Sequence, residues 1–328
     1  MTTAGQHLNW GAEALWERLL PLLPGLSVEV LARVDSTNTR LLERARELSG
    51  TRDTPITRPG ELERATPGPA TPHGRRGADV MPCLLVAEQQ LRGRGRLGRD
   101  WVSSAGASLT FSLSLPLSPS DWSGLSLAVG LALADALDPL ADENTTPRIY
   151  LKWPNDLWLL DAPGHGRKLG GILIETVTVG RHRMCVVGVG LNVLSQPTPL
   201  PAAPELTHGY AYVQEIDAEA SAPSVLARVA EPLVRGLLAF QAEGFTPLVE
   251  RYNRRDLLNG RHVTTTLAEV PAGVAEGVDE RGALRVHSGV LHHLVSGEVS
   301  VRLAPEDADA PAELPGPPEA HEPPGAAG

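Results

Sequence analysis

Residues 93–101, Gly-Arg-Gly-Arg-Leu-Gly-Arg-Asp-Trp, are the most informative segment of this chain. Its three glycines let the backbone approach a ligand closely. Its three arginines bring planar, permanently charged donor groups to the same short segment. Because the whole chain has a formal net charge of −10, this segment is a local positive site in an acidic protein. It predicts binding of an anion, and a phosphate group fits best.

The three glycines also satisfy the G-x-G-x-x-G pattern of dinucleotide-binding proteins. That pattern requires a strand before the glycines and a helix after them. Residues 82–87 predict the strand, but residues 101–117 alternate and are rich in Ser and Leu, which predicts a turn and a second strand. The context therefore disfavours a Rossmann site. A solvent-exposed Arg-Gly loop stays open as the alternative without a ligand.

Length and composition set the class of the protein. The chain has 328 residues and a mass of 34.8 kDa, enough for one large core and a small second domain. A sequence pI of about 5.5 argues against a nucleic-acid-binding surface as its main feature. Cys83 and Cys185 lie in apolar runs and predict buried thiols. We find no signal peptide, membrane span or metal-ligand spacing in the sequence, and we expect a soluble, cytoplasmic protein.

The predicted elements alternate between helices and strands. The patterns indicate a helix at 10–23 with Trp16 on its apolar face, a strand at 27–34, a helix at 37–50 and a buried helix at 123–140. A hairpin turning at Gly180 and Arg181 follows, then helices at 222–243 and 245–257, and short strands at 261–303.

Three further motifs place polar side chains beside a proline or glycines. They are KWPNDL at 152–157, KLGGIL at 168–173 and GVGLN at 188–192. Asn and Asp on a turn are ordinarily turn formers, and Trp153 is more often a core residue than a ligand platform. Two adjacent glycines in a strand need a reason, however, and close approach of a ligand is one.

Together these segments resemble the biotin–protein ligase family. The resemblance runs from about Val30 to Arg302 and rests on five ordered motifs: DSTN at 35–38, Gln90 with the GRGRLGRDW loop, KWPNDL, KLGGIL and GVGLN. It implies an α+β fold, with a mixed-sheet catalytic domain followed by a small SH3-like β-barrel. On this basis we divide the chain into an N-terminal extension with a short helix (1–26), a catalytic domain (27–258) with a disordered insertion (51–79), an SH3-like domain (259–304) and a disordered tail (305–328).

The resemblance also implies an activity. The family uses ATP to activate biotin as biotinyl-5′-AMP and then transfers biotin to a lysine of a biotin carboxyl carrier domain, such as that of acetyl-CoA carboxylase. Mg²⁺ is implied with the triphosphate. A homodimer is one candidate assembly, and neither DNA nor a membrane is an expected partner. Lipoate–protein ligase, which has the same broad fold, stays open as an alternative.

Site residues follow from the matching positions. The resemblance implies that the catalytic residues are Lys168, Arg96 and Arg94. It implies biotin binding by Ser36, Thr37, Asn38, Gln90, Gly93, Arg94, Gly95, Arg96, Lys168 and Gly171. It implies ATP binding by Arg96, Arg99, Trp101, Asn155, Asp156, Lys168 and Asn192, with Asp156 as a candidate Mg²⁺ ligand.

Two features depart from the family pattern. Leu91 and Arg92 stand where small or Thr-like residues are common, and Arg92 adds a fourth arginine to the loop. Some members carry an N-terminal winged helix that represses biotin genes. Here Asp35 lies only 34 residues from the start of the given sequence, so we expect a monofunctional ligase.

Overall fold

The structure is a computed structural model that describes residues 8–50, 80–161, 165–195, 209–295 and 301–303. The predicted insertion at 51–79 and the predicted tail at 305–328 lie outside the described residues. The helices are α1 (Ala12–Leu19), α2 (Thr37–Gly50), α3 (Leu125–Leu137), α4 (Ala222–Glu243) and α5 (Val249–Asn253). None of these described helices combines the length and the apolar character needed to cross a membrane.

The strands form two main sheets and a short hairpin. They are β1 (Ser27–Val34), β2 (Cys83–Gln90), β3 (Gly93–Arg94), β4 (Asp100–Trp101), β5 (Ser108–Pro116), β6 (Ile149–Lys152), β7 (Asp156–Asp161), β8 (His165–Val179), β9 (His182–Asn192), β10 (His262–Thr265), β11 (Ala272–Val278), β12 (Leu284–His287), β13 (Leu291–Leu294) and β14 (Val301–Leu303).

The large sheet has seven strands in the order β1-β2-β5-β9-β8-β7-β6. β1 and β2 run parallel, and the other neighbours are antiparallel. The predicted mixed sheet is therefore confirmed. The G-x-G-x-x-G segment leads into the strands β4 and β5, so the structure agrees that it is not a Rossmann loop.

Helices cover both faces of this sheet because its strands alternate two sets of apolar side chains. Leu84 and Val86 of β2 belong to the main core, which they share with α1, α3 and α4. Cys83 and Leu85 point to the other face and pack with residues of α2. Burial raises the pKa of the Cys83 thiol to about 11 and that of Cys185 to about 12, so both thiols stay protonated at neutral pH.

The N-terminal helix differs from its prediction. It spans only Ala12–Leu19, and its buried residues are Leu15 and Leu19. Trp16, predicted on the apolar face, is 40% exposed and donates its indole N–H to the Leu26 carbonyl at 2.9 Å. Burial thus follows the i, i+4 spacing of the two leucines, and the indole satisfies its single donor at the surface.

The C-terminal domain is a five-stranded antiparallel sheet in the order β13-β12-β11-β10-β14. Among the described residues its edge strands do not pair with each other, so closure into a barrel is not seen there. The predicted helix at 245–257 is instead a 3₁₀ turn at Thr246–Leu248 followed by the five-residue α5. Buried Arg255 follows α5 and pairs with Asp135 and Asp138 of the α3 end at 2.9 Å each.

Candidate functional site

A cavity of about 480 Å³ opens on the α2 face of the large sheet. Most of the site residues that were predicted from the five sequence motifs line this cavity. These are Ser36, Thr37, Asn38, Gln90, Arg94, Gly95, Arg96, Arg99, Trp101, Asn155, Asp156, Lys168, Gly171 and Asn192. Segments that lie far apart in the sequence therefore form one site.

The floor of the cavity includes two neighbouring glycines of the sheet. Gly190 of β9 pairs with Gly171 of β8, which pairs in turn with Asp156 of β7, and all three residues line the cavity. A Cβ atom on Gly190 would lie 2.4 Å from the Trp101 ring. The glycines of GVGLN and KLGGIL therefore leave room for side chains, and for a ligand, against the backbone.

One end of the cavity is built from hydroxyl and amide groups at the start of α2. The Thr37 backbone N–H donates to the Gln90 side-chain oxygen at 2.8 Å. The hydroxyl of Ser112, a buried residue of β5, lies 2.7 Å from the Thr37 hydroxyl and donates to Asn38 Oδ1 at 2.6 Å. Ser36 accepts the Thr39 N–H at 3.4 Å and so also caps the helix. A ligand with both donors and acceptors suits this end.

The glycine–arginine loop, residues 93–101, forms part of the cavity wall next to these groups. β3 and β4 pair as a short hairpin, which places the Trp101 ring over Gly190. Between them Leu97 is exposed and has a φ of 56°, a conformation rare outside glycine. Gly93 does not line the cavity: a Cβ atom there would lie 2.3 Å from the Trp101 carbonyl, so its role is to close the hairpin.

Positive charges gather around Asp156 at the other end. Lys168 Nζ lies 2.9 Å from Asp156 Oδ2, and both side chains are about one-fifth exposed. Arg96 donates to Asn155 Oδ1 at 3.3 Å. Burial lowers the pKa of Arg96, and the charge of Asp156 raises it in opposition. A guanidinium and an ammonium held near one carboxylate suit a ligand with several negative charges.

Comparison with known proteins decides the family. Residues 80–192 match the Biotin/lipoate A/B protein ligase family, and residues 259–302 match the Biotin protein ligase C terminal domain. The chain is 31% identical over 293 residues to the bifunctional ligase/repressor BirA of Escherichia coli, covering 88% of this chain and 78% of that protein. The chain belongs to the biotin protein ligase family.

Two further members of the family support the assignment. The biotin--[acetyl-CoA-carboxylase] ligase of Mycobacterium tuberculosis is 34% identical over 236 residues, which is 69% of this chain and 81% of that one. The solved structure of the Aquifex aeolicus biotin protein ligase in complex with biotin and ATP superposes with a TM-score of 0.58 at 25% identity. That superposition covers 86% of this chain and all of the other.

The structure adds cavity residues that the motif analysis did not select. Lys152 lies over the Trp158 ring at 4.9 Å, and Tyr210 and Arg302 also line the cavity. Lys152 could have been chosen, since it opens the KWPNDL motif. Ser112 does not itself line the cavity but contacts Thr37 and Asn38. It lies in the alternating run of β5, where Ser108, Thr110 and Ser114 are also buried polar residues. Tyr210 and Arg302 carry no local motif in the sequence.

Proposed function

We propose that this chain is a biotin–[acetyl-CoA-carboxylase] ligase that activates biotin with ATP and transfers it to a lysine of a biotin carboxyl carrier domain. The observation that carries the proposal is the single cavity with two chemically different ends. Hydroxyl and amide groups lie at the Asn38 end, and cationic groups surround Asp156. Family membership supplies the reaction that such a cavity serves.

In the first step, a biotin carboxylate oxygen attacks the α-phosphorus of ATP, the bond to the bridging oxygen breaks, and pyrophosphate leaves. Negative charge grows on the phosphoryl oxygens during this step. Preorganised cations at that position stabilise the transition state. The position of Lys168 and Arg96 near Asp156 on the cavity wall supports this role for both residues.

The two substrates occupy opposite ends. A ureido ring offers one carbonyl acceptor and two N–H donors, and Ser36, Thr37, Asn38 and Gln90 offer matching groups. Trp101 provides an aromatic plane for adenine, while Arg99, Asn155 and Asn192 line the same wall. Arg94, Gly95 and Gly171 also line the cavity, and the biotin carboxylate meets the α-phosphate between its two ends.

In the second step, the ε-amine of the acceptor lysine attacks the activated carbonyl carbon. The bond to the phosphate oxygen breaks, AMP leaves, and the amine gives up a proton as the amide forms. The loop covers the adenylate between the two steps, because exclusion of water protects a reactive mixed anhydride.

Mg²⁺ is proposed to arrive with ATP. Among the described residues no group of three or more His, Cys, Asp or Glu side chains could hold a metal ion. Mg²⁺ in nucleotide sites usually needs only one or two carboxylates, with phosphates and water completing its shell. Asp156 fits that requirement from the cavity wall. Bound Mg²⁺ would neutralise charge on the phosphates.

We further propose that the protein acts in the cytoplasm, without DNA or membrane partners, and that a homodimer is its candidate assembly. The net charge of −10 supports the absence of a DNA surface. Sequence-specific retention of a biotin-gene promoter fragment in a gel shift at about 150 mM salt would contradict the DNA part. Sedimentation of the full chain tests the assembly.

Biotin-dependent exchange of labelled pyrophosphate into ATP tests the proposed activation step. The expected result is exchange with biotin and ATP together, and none when either is omitted. Parallel reactions contain lipoate in place of biotin. If exchange occurred with lipoate but not with biotin, the proposed function would be wrong and the chain would activate lipoate.

A further inference from the structure

We propose that Glu175 is a positioning residue that links Arg94 of the loop to the amide of Asn38, and so couples loop order to the ring-binding end of the cavity. The inference rests on the proposed function, because it takes the Asn38 end as the site of the biotin ring. Nothing in the sequence motifs selects Glu175, which follows KLGGIL by two residues.

Glu175 lies at the edge of the cavity on β8. Gly171, Leu173 and Glu175 alternate along this strand, so they share the face on which α2 packs. One oxygen of the half-buried carboxylate, Oε2, accepts from Arg94 Nη2 at 2.7 Å and from Asn38 Nδ2 at 2.9 Å. A single carboxylate oxygen thus joins the loop, the sheet and the first turn of α2.

The contact with Asn38 fixes the direction of its amide. Asn38 is 2% exposed, and its NH₂ group also donates to the Leu173 carbonyl at 3.1 Å. Carbonyl and carboxylate oxygens only accept hydrogen bonds, so a flipped amide would put oxygen against oxygen. Oδ1 therefore faces Ser112 and keeps one lone pair. Held this way, Asn38 can accept a ureido N–H and cannot donate to the ureido carbonyl.

The contact with Arg94 anchors the loop. Arg94 stands between Gly93 and Gly95, two residues that lose much backbone freedom when they are ordered. Its side chain is 44% exposed, and its contact with Glu175 uses Nη2, so other N–H groups of the guanidinium can bind an incoming ligand anion. Glu175 thus holds Arg94 next to the site while the ligand is bound.

Two substitutions separate the two contacts. Glu175→Gln keeps an acceptor for Asn38 and removes the charge opposite Arg94. We expect its KM for biotin to stay within about threefold of wild type, while free biotinyl-AMP escapes about fivefold faster and amides 93–99 exchange hydrogen faster. Glu175→Ala loses both contacts, and we expect its KM for biotin also to rise by about tenfold.

Glu29→Gln is the matched control. Glu29 pairs with Arg44 and joins β1 to α2, but neither residue lines the cavity. We expect wild-type values for this variant. Folded Glu175 variants with wild-type adenylate escape, loop exchange and KM for biotin would overturn the inference. A wild-type protein that forms no biotinyl-AMP would overturn the proposed function itself, so the wild-type reaction distinguishes the two failures.

Discussion

Among the single residues of the site, Asp156 is the carboxylate that interacts with both Lys168 and Arg96 at the cationic end of the cavity. It forms an ion pair with Lys168 at 2.9 Å. Burial lowers the pKa of Arg96, and the negative charge of Asp156 partly offsets that effect. Without ATP, this carboxylate offsets two positive charges that would otherwise repel each other in a partly enclosed site. With ATP bound, phosphate oxygens can compete for both cations, as the proposed activation step requires.

Lys168→Ala and Arg96→Gly should each reduce biotin-dependent pyrophosphate exchange by on the order of 100-fold, because each removes a cation from the developing charge. Thermal unfolding should show that both variants stay folded. Arg181→Gly, at the turn between β8 and β9 and outside the cavity lining, is the control and should keep wild-type exchange. Wild-type exchange in folded Lys168 and Arg96 variants would refute their assigned roles.

The buried carboxyl of Asp256 makes stability depend on pH. Its Oδ1 accepts the Leu258 N–H at 2.9 Å, and its Oδ2 has no hydrogen-bond partner among the described residues. Burial raises the pKa of Asp256 to about 7, above the unfolded value of about 3.9. The folded state therefore binds more protons between these values, and the free energy of unfolding falls as pH rises from about 4 to about 7.

Asp256→Asn removes this titration. We expect its stability relative to wild type to grow between pH 5 and pH 8, by at most about 3 kcal/mol. Urea unfolding at the two pH values measures the difference. Asp142→Asn is the control, since hydrogen bonds from Thr145 and Asn144 lower the pKa of Asp142 and place its titration below this range. An Asp256 variant with the same pH dependence as wild type would refute the account.

At the scale of elements, strand β9 shapes both ends of the cavity with two glycines. A Cβ atom on Gly188 would lie 2.2 Å from Asn38 Oδ1, and one on Gly190 would lie 2.4 Å from the Trp101 ring. The same strand therefore sets the position of an amide at one end and of an aromatic plane at the other.

Alanine substitutions on β9 should separate the two substrates. Gly188→Ala displaces Asn38 and should raise the KM for biotin on the order of tenfold, while Gly190→Ala displaces Trp101 and should raise the KM for ATP by a similar factor. Steady-state kinetics with each substrate varied in turn provides the measurement. If both variants weakened the same substrate, the assignment of the two ends would be wrong.

The loop at 91–99 should change its dynamics on binding. Four arginines repel one another, and ordering nine residues costs on the order of 10 kcal/mol, which ligand contacts must offset. We expect fast amide hydrogen exchange without ligand and slow exchange with biotin and ATP. Equal, strong protection in both states would contradict this expectation.

The sequence predicted several elements, and many of the residues that line the cavity, from local patterns. The buried helix α3 and the β8–β9 hairpin follow from apolar runs and a Gly turn, and the glycine–arginine loop is contiguous. Ser112 and Glu175 were missed because their roles arise from pairing with distant strands and with α2. Helix α5 was predicted too long, because residues 254–258 instead fold back to pair with Leu151.

In the whole molecule, the C-terminal sheet contacts the domain that contains the large sheet, and it contributes residues to the cavity lining. Trp153, buried in KWPNDL, donates its indole N–H to the Gly282 carbonyl at 3.1 Å. The Val278 N–H of β11 donates to Asn253 Oδ1 of α5 at 3.0 Å. Arg302 of β14 lines the cavity. The described parts of the two sheets therefore act as one unit around the site.

Transfer of labelled biotin to the carrier domain of acetyl-CoA carboxylase tests the proposed ligase activity. We expect ATP-dependent labelling of one lysine, which disappears when that acceptor lysine is changed to arginine and which falls with Lys168→Ala. A folded, full-length chain that binds biotin and ATP but leaves the carrier unlabelled would contradict it.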